Sequence, residues 1–237
     1  MGLKTFPSVR KRKETKSDGY WLSISDLMAG VLIIFILFFV LKINYEVRLQ
    51  HLFENLYDMR EKIVTEMKRA FHSFEAVEID ENGTIRFFID YTKDESQWFE
   101  TGQAELTDTA KNLLQRFIPV YARLLYHYRE DIDKVIIEGH TDSQSFRGVS
   151  TEIDNYLRNL NLSQARAYNV STYIYKNVQM EPEVLEFLKK KMTANGRSYS
   201  DLIVEDGAEN QNKSRRVEFK FRLAIEKRYE DFKQAAQ

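Results

Sequence analysis

One carboxylate stands alone in the most apolar stretch of the chain. Between Tyr20 and Leu41 the only charged residue is Asp26, and from Leu27 to Leu41 every side chain is apolar. A carboxyl group placed there can do three things. It can sit at the headgroup edge beside Ser23 and Ser25, or it can hydrogen-bond a partner helix. It can also take up a proton on one side of a membrane and release it on the other, since burial raises a carboxyl pKa toward the working range. Its charged form costs about 2.5–3.5 kcal/mol at a helix centre in lipid, and less toward an interface. The residues by themselves leave all three open.

Other chemistries have little to work with. There is no cysteine, which removes thiol catalysis, disulfides and thiolate-bound zinc together. The four histidines, His51, His72, His127 and His140, are scattered, and neither a phosphate-binding Gly-rich loop nor a nucleophile elbow occurs. No paired catalytic carboxylates stand in a defined motif, so no enzyme activity, metal or cofactor is expected. The 237 residues carry 35 basic and 36 acidic side chains. That near balance hides a cluster of Arg10, Lys11, Arg12, Lys13 and Lys16 ahead of the apolar stretch. Without a basic face on the folded part, nucleic acid is not an expected partner.

The element that holds Asp26 follows from length. At about 1.5 Å per residue, residues 20–41 cover roughly 33 Å, enough for a hydrocarbon core of ~30 Å. A soluble core helix would show a polar stripe, and a buried strand would be much shorter. A basic segment before an apolar run also fits a signal peptide, but no small-x-small cleavage site follows. The expectation is one uncleaved membrane helix at 20–42, with a cytoplasmic basic tail at 1–19. The positive-inside rule places the N-terminus in the cytoplasm and the rest outside. In a bacterium this means the inner membrane and the periplasm.

Residues 43–75 predict a helical connector. Leu49, Leu52, Leu56, Met59, Ile63 and Ala70 fall at three- and four-residue steps, with Glu66 interrupting beside Met67. That seam suits a short parallel coiled coil, hence a homodimer. It suits equally a helix packed on its own domain.

Residues 76–225 predict an α/β (α+β) sandwich, with a few helices on one mixed sheet, and 226–237 a C-terminal tail. Alternation about Glu81-Asn82-Gly83 signals a hairpin over 76–90. Residues 107–128 form an amphipathic helix in which Pro119 is expected as a kink or break. "KVIIEGHTDS" starts as a buried strand and ends as a polar loop. A second helix is expected at 162–177 with Ser163 as N-cap, a third at 181–192, and a closing strand at 215–224.

Within this outer region three motifs stand in order: Gly139-His140-Thr141-Asp142, Asn159-x-x-Leu162-Ser163-x-x-Arg166-Ala167-x-x-Val170, and Arg215-Arg216-Val217-Glu218. With the upstream "WFETGQAELTDTA" (98–110), they closely resemble the OmpA-like peptidoglycan-binding domain over roughly residues 76–224. The resemblance implies an OmpA-like sandwich that binds rather than reacts. It implies that Asp142 and Arg166 hold the diaminopimelate of a stem peptide, with Thr141 and Asn159 of the same motifs beside them. A guanidinium pairing with carboxylate oxygens is apt for a zwitterionic end. Asp142 and Arg166 bracing each other is the alternative. His140 reads as a loop-shaping residue, and Arg215 and Arg216 read either as an edge-strand surface feature or as ligand contacts. One departure is that residues 143–160 form a longer insertion than the family's usual loop.

The basic tail, the aspartate-bearing membrane helix, the connector and this domain together resemble the MotB-type subunits of ion-driven stator motors. In that family two copies sit inside a ring of five multi-pass subunits, here a MotA- or ZorA-like partner. The membrane aspartate, here Asp26, relays the ion, a proton with sodium as the alternative, and the outer domain anchors the motor to peptidoglycan. The Ser-Asp-Leu-Met-Ala context of Asp26 more closely resembles the ZorB-type subunits of Zorya anti-phage defence than the flagellar ones. A flagellar MotB-type stator subunit and a passive membrane-tethered cell-wall anchor are the competing readings.

Overall fold

Apolar surface in this chain is hidden in two different ways, and the fold divides accordingly. The computed structural model describes residues 16–74, 77–87, 98–100, 102–225 and 227. Arg10, Lys11, Arg12 and Lys13, the outer ends of the 76–90 hairpin and nearly all of the 226–237 tail therefore lie outside the described residues. The chain forms two units, one ending at His51 and the other beginning at Leu52. A single helix, α1 (Lys16–Ala70), contributes to both.

In the first unit every side chain from Leu27 to Leu41 is exposed. Phe35 and Phe38 are 68% and 70% exposed, and Asp26 is exposed with them. An unbroken ring of exposed Leu, Ile and Phe is stable only when lipid or other protein covers it. It is a stretch long and apolar enough to cross a membrane.

In the second unit α1 ends inside protein. Ile63, Val64, Met67 and Phe71 are buried, and Leu56, Met59 and Ala70 pack against the same core. Tyr128 donates a 2.6 Å hydrogen bond to Glu66. The lower half of the apolar seam is thus spent on the chain's own domain, which is the second of the two readings of the connector. Farther up, Phe53 and Tyr57 remain exposed.

That domain is a five-stranded mixed sheet in the order β1-β2-β7-β3-β4. The hairpin β1 (Val77–Ile79) and β2 (Ile85–Phe87) is antiparallel, β2 pairs antiparallel with β7 (Val217–Leu223), and β7 with β3 (Ile132–Gly139). The edge strand β4 (Met192–Gly196) runs parallel to β3. Parallel pairing needs a crossover, supplied by α3 (Glu152–Asn177) and α4 (Pro182–Lys191). Strand alternation sorts the faces. Val135 and Ile137 of β3 and Val217, Phe219, Phe221 and Leu223 of β7 enter the core. They meet Leu114, Phe117, Tyr121 and Leu125 of α2 (Asp108–His127). Phe117 is the hub, with Phe71, Phe87, Tyr121 and Phe219 rings 4.8–5.1 Å from its centroid.

Three expectations are corrected. Pro119 does not break α2, which continues through it because Phe117, Ile118, Tyr121 and Ala122 on either side are buried and hold the helix despite the missing backbone donor. α3 starts at Glu152, with Thr151 as N-cap accepting from the Asp154 amide at 3.1 Å, so Ser163 is mid-helix and the 143–160 insertion is half helix. Arg215 and Arg216 precede an interior strand rather than an edge strand, since β7 lies between β2 and β3. The strand β4 and the small hairpin β5 (Val204–Glu205) and β6 (Ala208–Glu209) have no counterpart in the sequence reading. The turn Asp206-Gly207 closes that hairpin with φ of 51° and 81°, a pairing that two-residue hairpins favour.

Because Met67 belongs to the domain core, Met67→Ala should destabilise the outer domain by about 2–5 kcal/mol. Tyr57→Ala, on the exposed part of the same helix, should stay within about 0.5 kcal/mol. Guanidinium unfolding of the full chain in detergent, followed by near-UV circular dichroism, measures both. Equal effects would contradict this packing.

Candidate functional site

The site is built where α3 lies against the ends of β3 and β4. A Cβ on Gly139 would stand 2.2 Å from the Ser163 carbonyl oxygen, and one on Gly196 would stand 2.5 Å from the Gln164 amide nitrogen. Only glycine permits that approach at both strand ends. The loop leaving β3 is then stitched down. The Gly139 carbonyl accepts from the Arg197 amide, the His140 amide donates to the Arg216 carbonyl, and the Thr141 amide donates to the Ser198 carbonyl, each at 2.9 Å. Ser198 is buried with φ of 52°, an uncommon backbone state for a residue with a side chain. It is held there by its amide donating to Ser163 Oγ and its hydroxyl donating to the Tyr156 carbonyl, both at 2.9 Å.

The inner face of α3 explains both the residues recognised in the sequence and the start that was missed. Asn155, Asn159, Ser163 and Arg166 lie inward and buried at helical spacing, followed by apolar Ala167, Val170 and Ile174. Ile153 and Leu157 face out. The first turns therefore show inverted polarity, which hides a helix from hydropathy periodicity. The Thr151-x-x-Asp154 cap was the available signal.

All four expected contact residues are buried, Thr141 and Asn159 at 2% exposed, Arg166 at 3% and Asp142 at 6%; Asp142 and Asn159 share the Gln144 backbone as a partner, whereas Arg166 reaches Gln103 and Phe99. Asp142 is ion-paired with Arg215, which also reaches Asn212. Arg166 Nε donates to the Gln103 carbonyl at 3.0 Å, and its guanidinium lies over the Phe99 ring at 4.9 Å. The brace seen on Asp142 is therefore Arg215, 73 residues away in sequence. Asn159 donates to the Asn155 carbonyl at 3.1 Å. Thr141 Oγ1 has no hydrogen-bond partner among the described residues. Sequence reasoning did not single out Asn155, Phe99 or Gln103. It left Arg215 between surface and ligand roles.

Beneath the loop, on the sheet face opposite the apolar core, Glu138 and Glu218 stand directly across from one another on β3 and β7. Like charges so placed repel, and cations are gathered to offset them. Lys220 Nζ is 2.7 Å from both carboxylates, and Glu218 also accepts from Arg86 at 2.7 Å and Arg216 at 2.6 Å. His140, fully buried, has Nε2 3.7 Å from Glu138 and 3.6 Å from Glu218, and neither ring nitrogen makes a hydrogen bond among the described residues. One donor atom each from Glu138, His140 and Glu218 lies within 4.8 Å of the others, a spacing that could hold a metal ion. The Lys220 ammonium already fills the cation position there, so the cluster is a charge-balanced brace for the loop. The His140 ring and then the Lys220 ammonium hold the Glu138 carboxyl down to about 2, against the opposing effect of burial. Burial alone would raise Glu218, but His140 and Arg216 outweigh it and keep that carboxyl well below the usual range.

A family model described as the OmpA family matches residues 98–216. The Zorya protein ZorB of Escherichia coli strain Crooks is 32% identical over 230 residues, covering 88% of this chain and 89% of that protein. Among solved structures, a MotB-like protein from Desulfovibrio vulgaris is 22% identical with a TM-score of 0.48, over 71% of this chain and 98% of that one. The periplasmic domain of Helicobacter pylori MotB is 14% identical with a TM-score of 0.41, over 67% and 90% respectively.

Glu138 makes stability acid-sensitive in a defined window. Its carboxyl titrates near 4.5 unperturbed and near 2 when folded, so its contribution is complete above pH ~4.5 and is lost as pH falls toward 2. At 1.36 kcal/mol per unit, that is at most about 3 kcal/mol. Lys220→Met should raise the folded pKa of Glu138 and move the loss to higher pH. Thermal midpoints measured from pH 7 to 2 test this, and wild-type and variant curves that run parallel would count against the brace.

Proposed function

The chain belongs to the OmpA family, as a relative of the Zorya protein ZorB, and on that premise we propose that it is the peptidoglycan-anchored stator subunit of an ion-driven membrane motor in anti-phage defence. The observation that supports this best is the extent of the ZorB likeness, which at 88% of the chain is too long to be confined to residues 98–216. It therefore takes in sequence beyond the binding domain. On this reading α1 crosses the inner membrane once, N-terminus inside, as one of two copies within a ring of MotA- or ZorA-like subunits.

Asp26 is then the ion-relay carboxylate. It is the one group between Tyr20 and Leu41 that changes charge, and in lipid a lone carboxylate is a functional group by default. The ion it takes is a proton. The outer domain supplies the fixed point: Asp142 and Arg166, with Thr141 and Asn159, bind the zwitterionic end of a stem peptide through charge-assisted hydrogen bonds. The chemistry is binding and ion transfer, with no covalent step on the protein.

Two substitutions separate the parts of this reading. Asp26→Asn should abolish ion flux and phage protection when co-expressed with the neighbouring multi-pass subunit, while copurification with that subunit and binding to cell-wall sacculi persist. A variant that protects as well as wild type would make the chain a passive tether. Arg166→Ala or Asp142→Asn should weaken sacculus sedimentation by about 1.5–3 kcal/mol, roughly 10- to 150-fold. Unchanged binding in both would remove these residues from the site.

A further inference from the structure

The burial of Asp142, Arg166, Thr141 and Asn159 raises a question of access: what occupies a site that a ligand must enter? Two of the four are occupied by the backbone of one residue. The Gln144 amide donates to Asp142 Oδ1 at 3.3 Å, and the Gln144 carbonyl accepts from Asn159 Nδ2 at 3.5 Å. Gln144 thus presents one donor and one acceptor to the site, as a ligand amide would. Both bonds are long, hence weak and displaceable. Thr141 Oγ1, 2% exposed, is left without a partner in this arrangement. A buried hydroxyl left permanently unpaired is costly, and it is a group that an entering ligand can use.

Gln144 is held in place from outside the site. Glu209, at the end of β6, accepts the Ser143 amide at 3.0 Å through Oε1 and the Ser143 hydroxyl through Oε2. Gln144 Nε2 donates to Gln211 Oε1 at 2.9 Å, and the Phe146 amide donates to Asn155 Oδ1 at 3.2 Å. Ser143 through Ser145 are themselves exposed, while Thr141 and Asp142 beneath them are buried. One carboxylate on a separate hairpin therefore fixes the residue next to the one that fills the site.

We propose that Glu209 is a positioning residue of the stem-peptide site: through Ser143 it holds Gln144 across Asp142 and Asn159 as an internal competitor, and the ligand enters by displacing Gln144 when this latch releases. The proposal rests on the reading of Asp142 and Arg166 as stem-peptide contacts. Glu209 reaches the ligand only through the loop, so its removal frees the site without removing a contact to the ligand.

The test uses the full chain in detergent, with a purified diaminopimelate-containing muropeptide as the probe. Glu209→Ala should accelerate amide hydrogen exchange across 142–149 roughly tenfold, the scale of a lost hydrogen bond to a charged group. It should also raise the muropeptide association rate several-fold with an unchanged thermal midpoint. Glu209→Gln, which still accepts from Ser143, should fall between Glu209→Ala and wild type in both measurements. Unaltered exchange would overturn the latch, and so would faster exchange with unaltered or slower association. The underlying reading has its own control: Asp142→Asn must weaken muropeptide binding in the same assay. If it does and Glu209→Ala changes nothing, only the latch fails. If Asp142→Asn binds like wild type, both fail.

Discussion

The outer domain is organised around the place where the backbone of α3 touches the ends of two strands. With Gly139 and Gly196 the helix can sit against β3 and β4 at Ser163 and Gln164 at distances no side chain allows. From that contact the rest of the site follows. Ser163 is positioned to accept from Ser198, Ser198 to accept from Thr141, and the loop carrying Asp142 is left one short step from the polar start of α3. A helix a few ångströms farther away would leave these backbone groups buried and unpaired, the costliest defect a core can carry.

The opposite face of the sheet answers a different constraint. Register places Glu138 across from Glu218, an arrangement that is unfavourable by itself. It is tolerated because Lys220, Arg86 and Arg216 surround the pair. Those cations come from β7, from β2 and from the residue just before β7, so the charge balance also ties the hairpin next to α1 to the interior strands. Breaking one member leaves an uncompensated buried charge, which is why such networks tend to hold or fail as a unit. The loop bearing Asp142 starts on top of this brace and inherits its rigidity. Residues 143–151 lie beyond it and depend on exposed bonds, the weaker class.

α1 meets two solvents along one continuous helix. Its upper part exposes apolar groups all round, and its lower part presents one apolar stripe to Phe117 and its neighbours. The same physical term, removal of apolar surface from water, drives both. Only the second ties the helix to specific partners. In the proposed function the first unit carries Asp26 and the second is the anchoring domain.

Much of this was legible in one dimension. The membrane span, its lone Asp26, the α/β outer domain and the motifs around Asp142 and Arg166 are local properties: length, apolarity and residue order report the transfer free energy of a segment without naming its neighbours. What escaped was whatever needed a partner. The start of α3 was hidden because Asn155 and Asn159 are buried against loop backbone rather than against apolar side chains. The strand β4, "MTANG", has little strand propensity and exists because β3 offers it an edge. The connector seam suited two partners equally until Ile63 and Met67 were seen in the domain core. The pairing of Asp142 with Arg215, the occupation of the site by Gln144 and the meeting of Glu138 with Glu218 join positions from 2 to 80 residues apart. Charges and hydrogen-bonding groups state what they require, but only the tertiary structure decides which group supplies it, because that choice depends on distance and direction in space.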